Sequence, residues 1–117
     1  MAITEPYELD GVSVTTAGIS IPSGSSTPST ITDDGVYQVW VDPVTDMVKA
    51  DELEIRILEK VEGTGGTQRT VFVATLLGVQ SELFVTPSLI LINGWDVVLD
   101  CLAGTSITVD ASIRKIA

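Results

Sequence analysis

Histidine is absent from the 117-residue chain. Its absence removes the commonest general base, the commonest metal ligand and the usual switch near neutral pH. A single cysteine rules out an intramolecular disulfide and, without histidine, the usual nitrogen-and-sulfur zinc sites. Cys101 stands in the apolar run VVLDCLAG and reads as a small buried hydrophobe. Aromatic residues make up only 5% of the chain, too few for a broad platform of stacked rings. The longest apolar runs, such as SLILI, are far shorter than a bilayer-spanning helix requires. No segment carries a helical period. The opening MAITEPYELDG has neither a basic leader nor an apolar stretch, so synthesis in the cytoplasm without a secretion signal is expected. GxGxxG, GxxxxGK[ST] and GxSxG are all missing, and GTGGT lacks the lysine and following helix of a phosphate loop.

Basic residues are missing from the first 48 positions. Those positions hold Glu5, Glu8, Asp10, Asp33, Asp34, Asp42 and Asp46, a charge of −7; the remainder, with nine acids and six bases, carries −3 of the total −10. Direct nucleic-acid binding is disfavoured, because phosphate neutralisation needs clustered Lys and Arg. The acidity has a plain reading as a solubility device. A sharper one has the acidic half facing water while Lys49, Arg56, Lys60, Arg69, Arg114 and Lys115 face an acidic partner.

The residues that are present alternate. Hydrophobic residues are 44% of the chain, and the scarcity of aromatics makes that core one of Val, Ile and Leu, which suit a pleated surface. Positive mean hydropathy in so short a chain indicates more apolar surface than one small domain hides, a prior for oligomers. GVYQVWVDP predicts a strand with Tyr37, Val39 and Val41 on one face and Val36, Gln38 and Trp40 on the other, ended by Pro43. In DELEIRILEKV, Leu53, Ile55, Ile57 and Val61 read inward and Glu52, Glu54, Arg56 and Lys60 outward, with a break at Leu58 and Glu59 that signals a bulge or a sheet edge. EGTGGT reads as a hairpin loop. The returning QRTVFVATLLG is apolar on both faces, which predicts a central strand covered twice. SITVDASIRKI places Ile107, Val109, Ala111 and Ile113 inward. Residues 22–34, rich in Ser, Thr, Pro and Gly, read as a long loop without packing of its own, and residues 42–51 as a connection with room for one helical turn. The sum is an all-β chain: a β-sandwich or jelly-roll-like barrel of about eight antiparallel strands with an extended N-terminal arm. The expected division puts the arm, two short strands and the polar loop in residues 1–34 and the sandwich core in 35–117.

Paired carboxylates are the remaining route to catalysis, since glycosidases use two. Asp33 with Asp34, Glu52 with Glu54, and Asp96 with Asp100 are the candidates, and each has a duller account in a polar loop or in alternation with core residues. DPVTD lacks the spacing of a calcium loop. No catalytic residue, cofactor or metal ligand is expected, and a non-enzyme is the expectation.

GVYQVWVD, DELEIRILEKV and GGTQRTVFVAT, in that order, resemble a group of small tailed-bacteriophage virion proteins encoded near the capsid genes. That group shows a G-x-Y strand ending in V-D, then D-x-[LV]-E-[IL]-R-[IL]-x-E-K-V, then G-G-T-[QK]-R-x-V-[YF]-x-A-T. The matching positions are Gly35, Tyr37, Val41 and Asp42, then Asp51 through Val61, then Gly65 through Thr75, a third to two-fifths of the chain. AGTSITVDASIRKI is similar in style, and the N-terminal 34 residues match nothing in the group. The resemblance implies a structural part of a virion: a capsid decoration or cement protein, or a neck or tail component.

The resulting expectation is a homo-oligomer, a trimer favoured, bound to the major capsid protein on the outside of a head, with no direct contact to nucleic acid or membrane. A carbohydrate- or host-surface-binding sandwich module is the alternative from a different class. The N-terminal AITEPYELDG and the 22–34 loop serve as candidate clamps onto a neighbour's sheet edge. Tyr7, Trp40, Arg56, Lys60, Arg69, Phe72, Leu76 and Leu102 are the candidate interface residues. Phe72 and Leu76 read equally well as the second sheet of one sandwich, and Trp40, beside Gln38 on the face opposite Val39 and Val41, is the strongest of the set.

Overall fold

A computed structural model describes residues 3–43 and 47–117. Its strands, in chain order, are β1 (Thr4–Val14), β2 (Ile19–Ser20), β3 (Gly35–Asp42), β4 (Glu52–Glu59), β5 (Arg69–Leu77), β6 (Phe84–Val85), β7 (Leu89–Leu91), β8 (Asp96–Ala103) and β9 (Ile107–Lys115). No helix occurs among the described residues, and the helical turn expected within 42–51 falls partly on residues outside them. One sheet runs β1-β9-β3-β6, with β7 also paired to β3; the other runs β2-β8-β4-β5. Every pairing is antiparallel. The two sheets pack face to face as a β-sandwich of jelly-roll type, as the alternation predicts.

The core is the set of inward side chains that period-two alternation selects. Tyr37, Val39 and Val41 on β3, Leu53, Ile55 and Ile57 on β4, Val97, Leu99 and Cys101 on β8, and Ile107, Val109 and Ile113 on β9 are all buried. Leu9, Val14 and Ile21 are buried with them, so the first 34 residues share one core with the rest. The free arm expected at the N-terminus is a strand of the sheet instead: β1 pairs with β9 from Thr4↔Lys115 to Val14↔Ile107. A bulge makes this possible. Leu9 and Val12 are three apart and would point to opposite faces of a regular strand. Asp10 and Gly11 together oppose Asp110, Gly11 takes φ +60°, and its N–H donates to Asp110 Oδ1 at 2.7 Å.

A second bulge lies where the sequence pattern breaks. Ile57 pairs with Phe72 and Leu58 with Thr70, leaving Val71 as the extra residue. The strand ends at Glu59, so Val61, expected inward, is 93% exposed in the hairpin loop. Glu59 Oε2 then accepts the N–H groups of Ile92 (2.5 Å) and Asn93 (2.8 Å), tying β4 to the segment after β7. A third bulge, at Leu102 between Leu53↔Cys101 and Glu52↔Ala103, turns that side chain out to water.

The 22–34 loop is held by its own chain, contrary to the expectation of a loop without packing. Asp96 is buried, and its carboxylate accepts from Ser20 Oγ (2.7 Å), Ser29 N (3.0 Å) and Val97 N (2.8 Å). Three donors replace the water a buried carboxylate loses. The Gln68 amide donates to the carbonyls of Ser29 and Gly94, both at 2.7 Å, and Ile31 exchanges backbone bonds with Trp95. Trp95 is the largest fully buried side chain. Its ring meets Tyr37 at 4.6 Å and the edge of Tyr7 at 6.2 Å, and its Nε1 donates to the Asp33 carbonyl at 3.1 Å. Asp33 also receives the Lys115 ammonium and, second in effect, the Tyr37 hydroxyl, which hold its carboxyl below the usual range.

Trp95→Ala removes this centre and is expected to lower unfolding free energy by about 3–5 kcal/mol. Urea denaturation of wild type and variant, followed by circular dichroism, measures the difference; a loss under about 1 kcal/mol would show that the ring is peripheral to the core.

Candidate functional site

Two surfaces of the sandwich stand out. The first is the flank made by β5 on one sheet and by β6 and β7 on the other. β5 is an edge strand, which corrects its reading as central and twice covered. Phe72 and Leu76 face inward and pack against the core, whereas Val71, Val73 and Leu77 face out. Val73 is 53% exposed and Leu77 63%. Val79, Leu83, Val85, Ile90 and Ile92 are also exposed, Ile90 at 70%; Val85 pairs with Trp40 and Ile90 with Val36, which puts both on the outer face of the β3 sheet. Val61, Val71, Ile90 and Ile92, with Glu59, Lys60 and Asn93, line one shallow depression that joins the β5 side to the β7 side. From Thr70 to Ile92 Glu82 is the sole charged residue, in a chain of net charge −10.

The second surface is the outer face of β1, β9 and β3. Tyr37, Val39 and Val41 point inward, so Trp40 points out, as expected. The Arg114 guanidinium lies 3.8 Å above its ring centroid, a cation–π stack. Trp40 Nε1 and Arg114 Nε are both buried donors without an acceptor. Around the pair is an open cleft of about 380 Å³, rimmed by Glu5, Glu8, Asp10, Asp42 and Asp110, with Leu83 at one end. The crowding of carboxylates raises the Glu8 pKa, first through its hydrogen bond and repulsion with Glu5, then through desolvation and Asp10. An acidic rim of this kind disfavours phosphate and carboxylate ligands.

The predicted interface residues do not converge on one surface. Trp40 belongs to the cleft. Tyr7 is half-buried against Trp95. Phe72 and Leu76 belong to the core side of β5, and Leu102 is alone on its bulge. Arg69 is exposed at the start of β5, and Lys60 packs its stem over Gly94. Arg56 sits on the outer face of β4, 2.9 Å from Glu54 and 3.1 Å from Asp100. With Arg114 on Trp40 and Lys115 on Asp33, three of the six basic residues engage groups of their own chain on different faces. These three therefore do not form one basic face. Among the carboxylate pairs, Asp96 is a buried loop anchor and Asp100 an ion-pair member, so neither stands as a general acid or base. Among the described residues no group of three or more acidic or cysteine side chains is placed to hold a metal ion, and DPVTD lies partly outside them. Alternation missed the exposed Val79, Leu83, Val85, Ile90 and Ile92, because they stand in loops and in two- and three-residue strands. The run from Thr70 to Ile92, charged at Glu82 alone, was the available signal.

No protein-family profile matches the chain, and no curated protein matches it by sequence. Solved structures do. Eiger TNF from S. frugiperda superposes with a TM-score of 0.55 at 13% identity, over 100% of this chain and 94% of that one. The CBM22-1–GH10 modules of Clostridium thermocellum endo-1,4-β-D-xylanase 10B, complexed with xylohexaose, give 0.50 at 6% identity over 97% of this chain and 29% of that one. A chain of infectious bursal disease virus strain Gx gives 0.41 at 12% identity, over 97% of this chain and 30% of that one, too low to carry an argument. At these identities the likeness is one of fold.

A raised carboxyl favours the fold below the ordinary Glu value and withdraws that contribution as pH rises through its midpoint. The Glu5–Glu8 contact is therefore repulsive at neutral pH. Glu5→Gln is expected to bring the Glu8 midpoint down toward the ordinary value, read by carboxyl NMR titration; an unmoved midpoint would locate the cause elsewhere.

Proposed function

We propose that the chain is a non-catalytic structural protein of a phage virion, a decoration or cement protein that works by packing against copies of itself and against the major capsid protein on the head exterior. The observation that carries this reading is the flank. Val61, Val71, Ile90 and Ile92 are exposed side by side around its shallow depression, and Val73 and Leu77 are exposed further along β5. Singly exposed hydrophobics are ordinary, but a contiguous apolar strip marks a contact surface. The motif resemblance supplies the particle. A lattice supports it physically, since modest affinity per copy is multiplied over many copies. The absence of histidine and the structural use of Asp96 and Asp100 support a role without catalysis.

The Trp40 cleft favours a second reading, a module that binds carbohydrate on the particle surface. It combines an aromatic ring, a guanidinium and carboxylate acceptors in one open groove, and the fold is shared with modules crystallised with xylohexaose. The guanidinium covers one face of the ring, which opposes sugar stacking there.

Size-exclusion chromatography with light scattering is expected to give a multiple of the 12.4 kDa protomer. Val73→Lys places a charge on the flank and is expected to return a folded monomer. Wild type is expected to co-sediment with empty phage heads. A monomer that ignores heads, together with hits on a glycan array, would transfer support to the second reading.

A further inference from the structure

We infer that β5 is the seam of a twofold dimer, in which the β5 edges of two copies pair antiparallel about Val73 and join the two β2-β8-β4-β5 sheets into one. The inference rests on the assembly reading above and names the partner that the flank takes first.

A sandwich of this order has two long edge strands, β1 and β5. An unguarded edge offers free amide and carbonyl groups to any other strand, and proteins block such edges with charge, proline or bulges. β1 is guarded: it carries Glu5, Glu8 and Asp10, with Pro6 between them. Two β1 edges brought together would set carboxylates against carboxylates. β5 is different. Over nine residues it carries no acid and no proline, and Arg69 at its start is its one charge. β4 is its ladder partner, and its other side has no strand beside it among the described residues.

The sequence of β5 is complementary to itself when read backwards about Val73. Antiparallel pairing on that axis sets Val73 against Val73 and Phe72 against Ala74, with the bulged Val71 near Thr75. Each large side chain meets a smaller one or its equal, as cross-strand packing prefers. Arg69 falls opposite Leu77, so no like charges meet. The inward Phe72 and Ala74 stay on the core side, and the outward Val71, Val73 and Thr75 of both copies form one uncharged strip. The bulge at Val71 confines the regular ladder to the middle of the strand. A chain of net charge −10 repels its own copies over most of its surface. The charge-poor flank is where two copies approach at least cost, and one axis through Val73 brings both flanks together.

The axis makes the test specific. In antiparallel pairing, opposed Cα atoms lie about 4.5–5.5 Å apart, within the range a disulfide spans. Val73→Cys is therefore expected to form an intermolecular disulfide under mild oxidation, giving a covalent dimer on non-reducing gels. Native Cys101 is buried and acts as an internal control, since wild type should stay uncrosslinked. Val61→Cys, exposed on the same flank but off the axis, should crosslink at least tenfold more slowly. Light scattering of wild type should give an even number of protomers. A trimer, or any oligomer in which Val73→Cys fails to crosslink, would overturn the β5 seam and leave the assembly reading intact. A wild-type monomer would overturn both.

Discussion

The packing of two sheets through one shared layer of Val, Ile and Leu side chains is the constraint from which the rest of the molecule follows. Leu53, Ile55 and Ile57 from β4 and Val97 and Leu99 from β8 meet Val39, Val41, Val109 and Ile113 from the opposite sheet, all buried. At about 25 cal/mol per Å² of apolar surface, such a layer supplies most of what opposes chain entropy. Its ends still have to be closed. Trp95 closes one, filling the space between the sheets where β8 begins and calling the 22–34 loop inward by exchanging backbone bonds with Ile31. Asp96 and Gln68 then satisfy polar groups which that closure would otherwise strand.

The inward faces of β3, β4, β8 and β9 were legible because period two reports which face a side chain takes. Tyr37, Val39 and Val41 needed no more than that. Period two is silent on what lies beside a strand. QRTVFVATLLG has apolar residues at both phases, and the pattern is the same whether the second face is covered by its own chain or by another molecule. Composition therefore favoured a central strand, and β5 is an edge. The loop anchors were out of reach for a different reason. Asp96 bonds to Ser20 and Ser29 across 76 and 67 residues, and nothing local marks Asp96 as their partner. Trp95 directly follows Asn93 and Gly94, and nothing local marks it as the residue that closes the core.

Of the candidate sites, Trp40 was legible because it broke the composition of its face, a large ring beside Gln38. Its stacking partner was not, since Arg114 reaches it only through the Gln38↔Arg114 and Trp40↔Ser112 register between strands distant in sequence. The basic residues show the opposite failure. Their confinement to the second half of the chain suggested a common face, but strand order sends Arg56 to one sheet and Arg114 and Lys115 to the other.

Charge distribution and edge chemistry in this fold are parts of one arrangement. A sandwich that must remain dispersed needs repulsion over most of its surface, and one that must assemble needs a place where repulsion is withdrawn. Acids spread over β1, the outer face of β9 and β3, and the 33–34 turn supply the first. The run from Thr70 to Ile92, with Glu82 alone, supplies the second. Had solubility been the whole purpose, β5 would be the natural position for a lysine or glutamate, because its outward positions cost nothing in the core. Val71, Val73 and Leu77 stand there instead, on the same strand whose inward positions are already committed to the sandwich. Apolar side chains kept on both sides of an open edge are what the proposed β5 seam would cover on its second side.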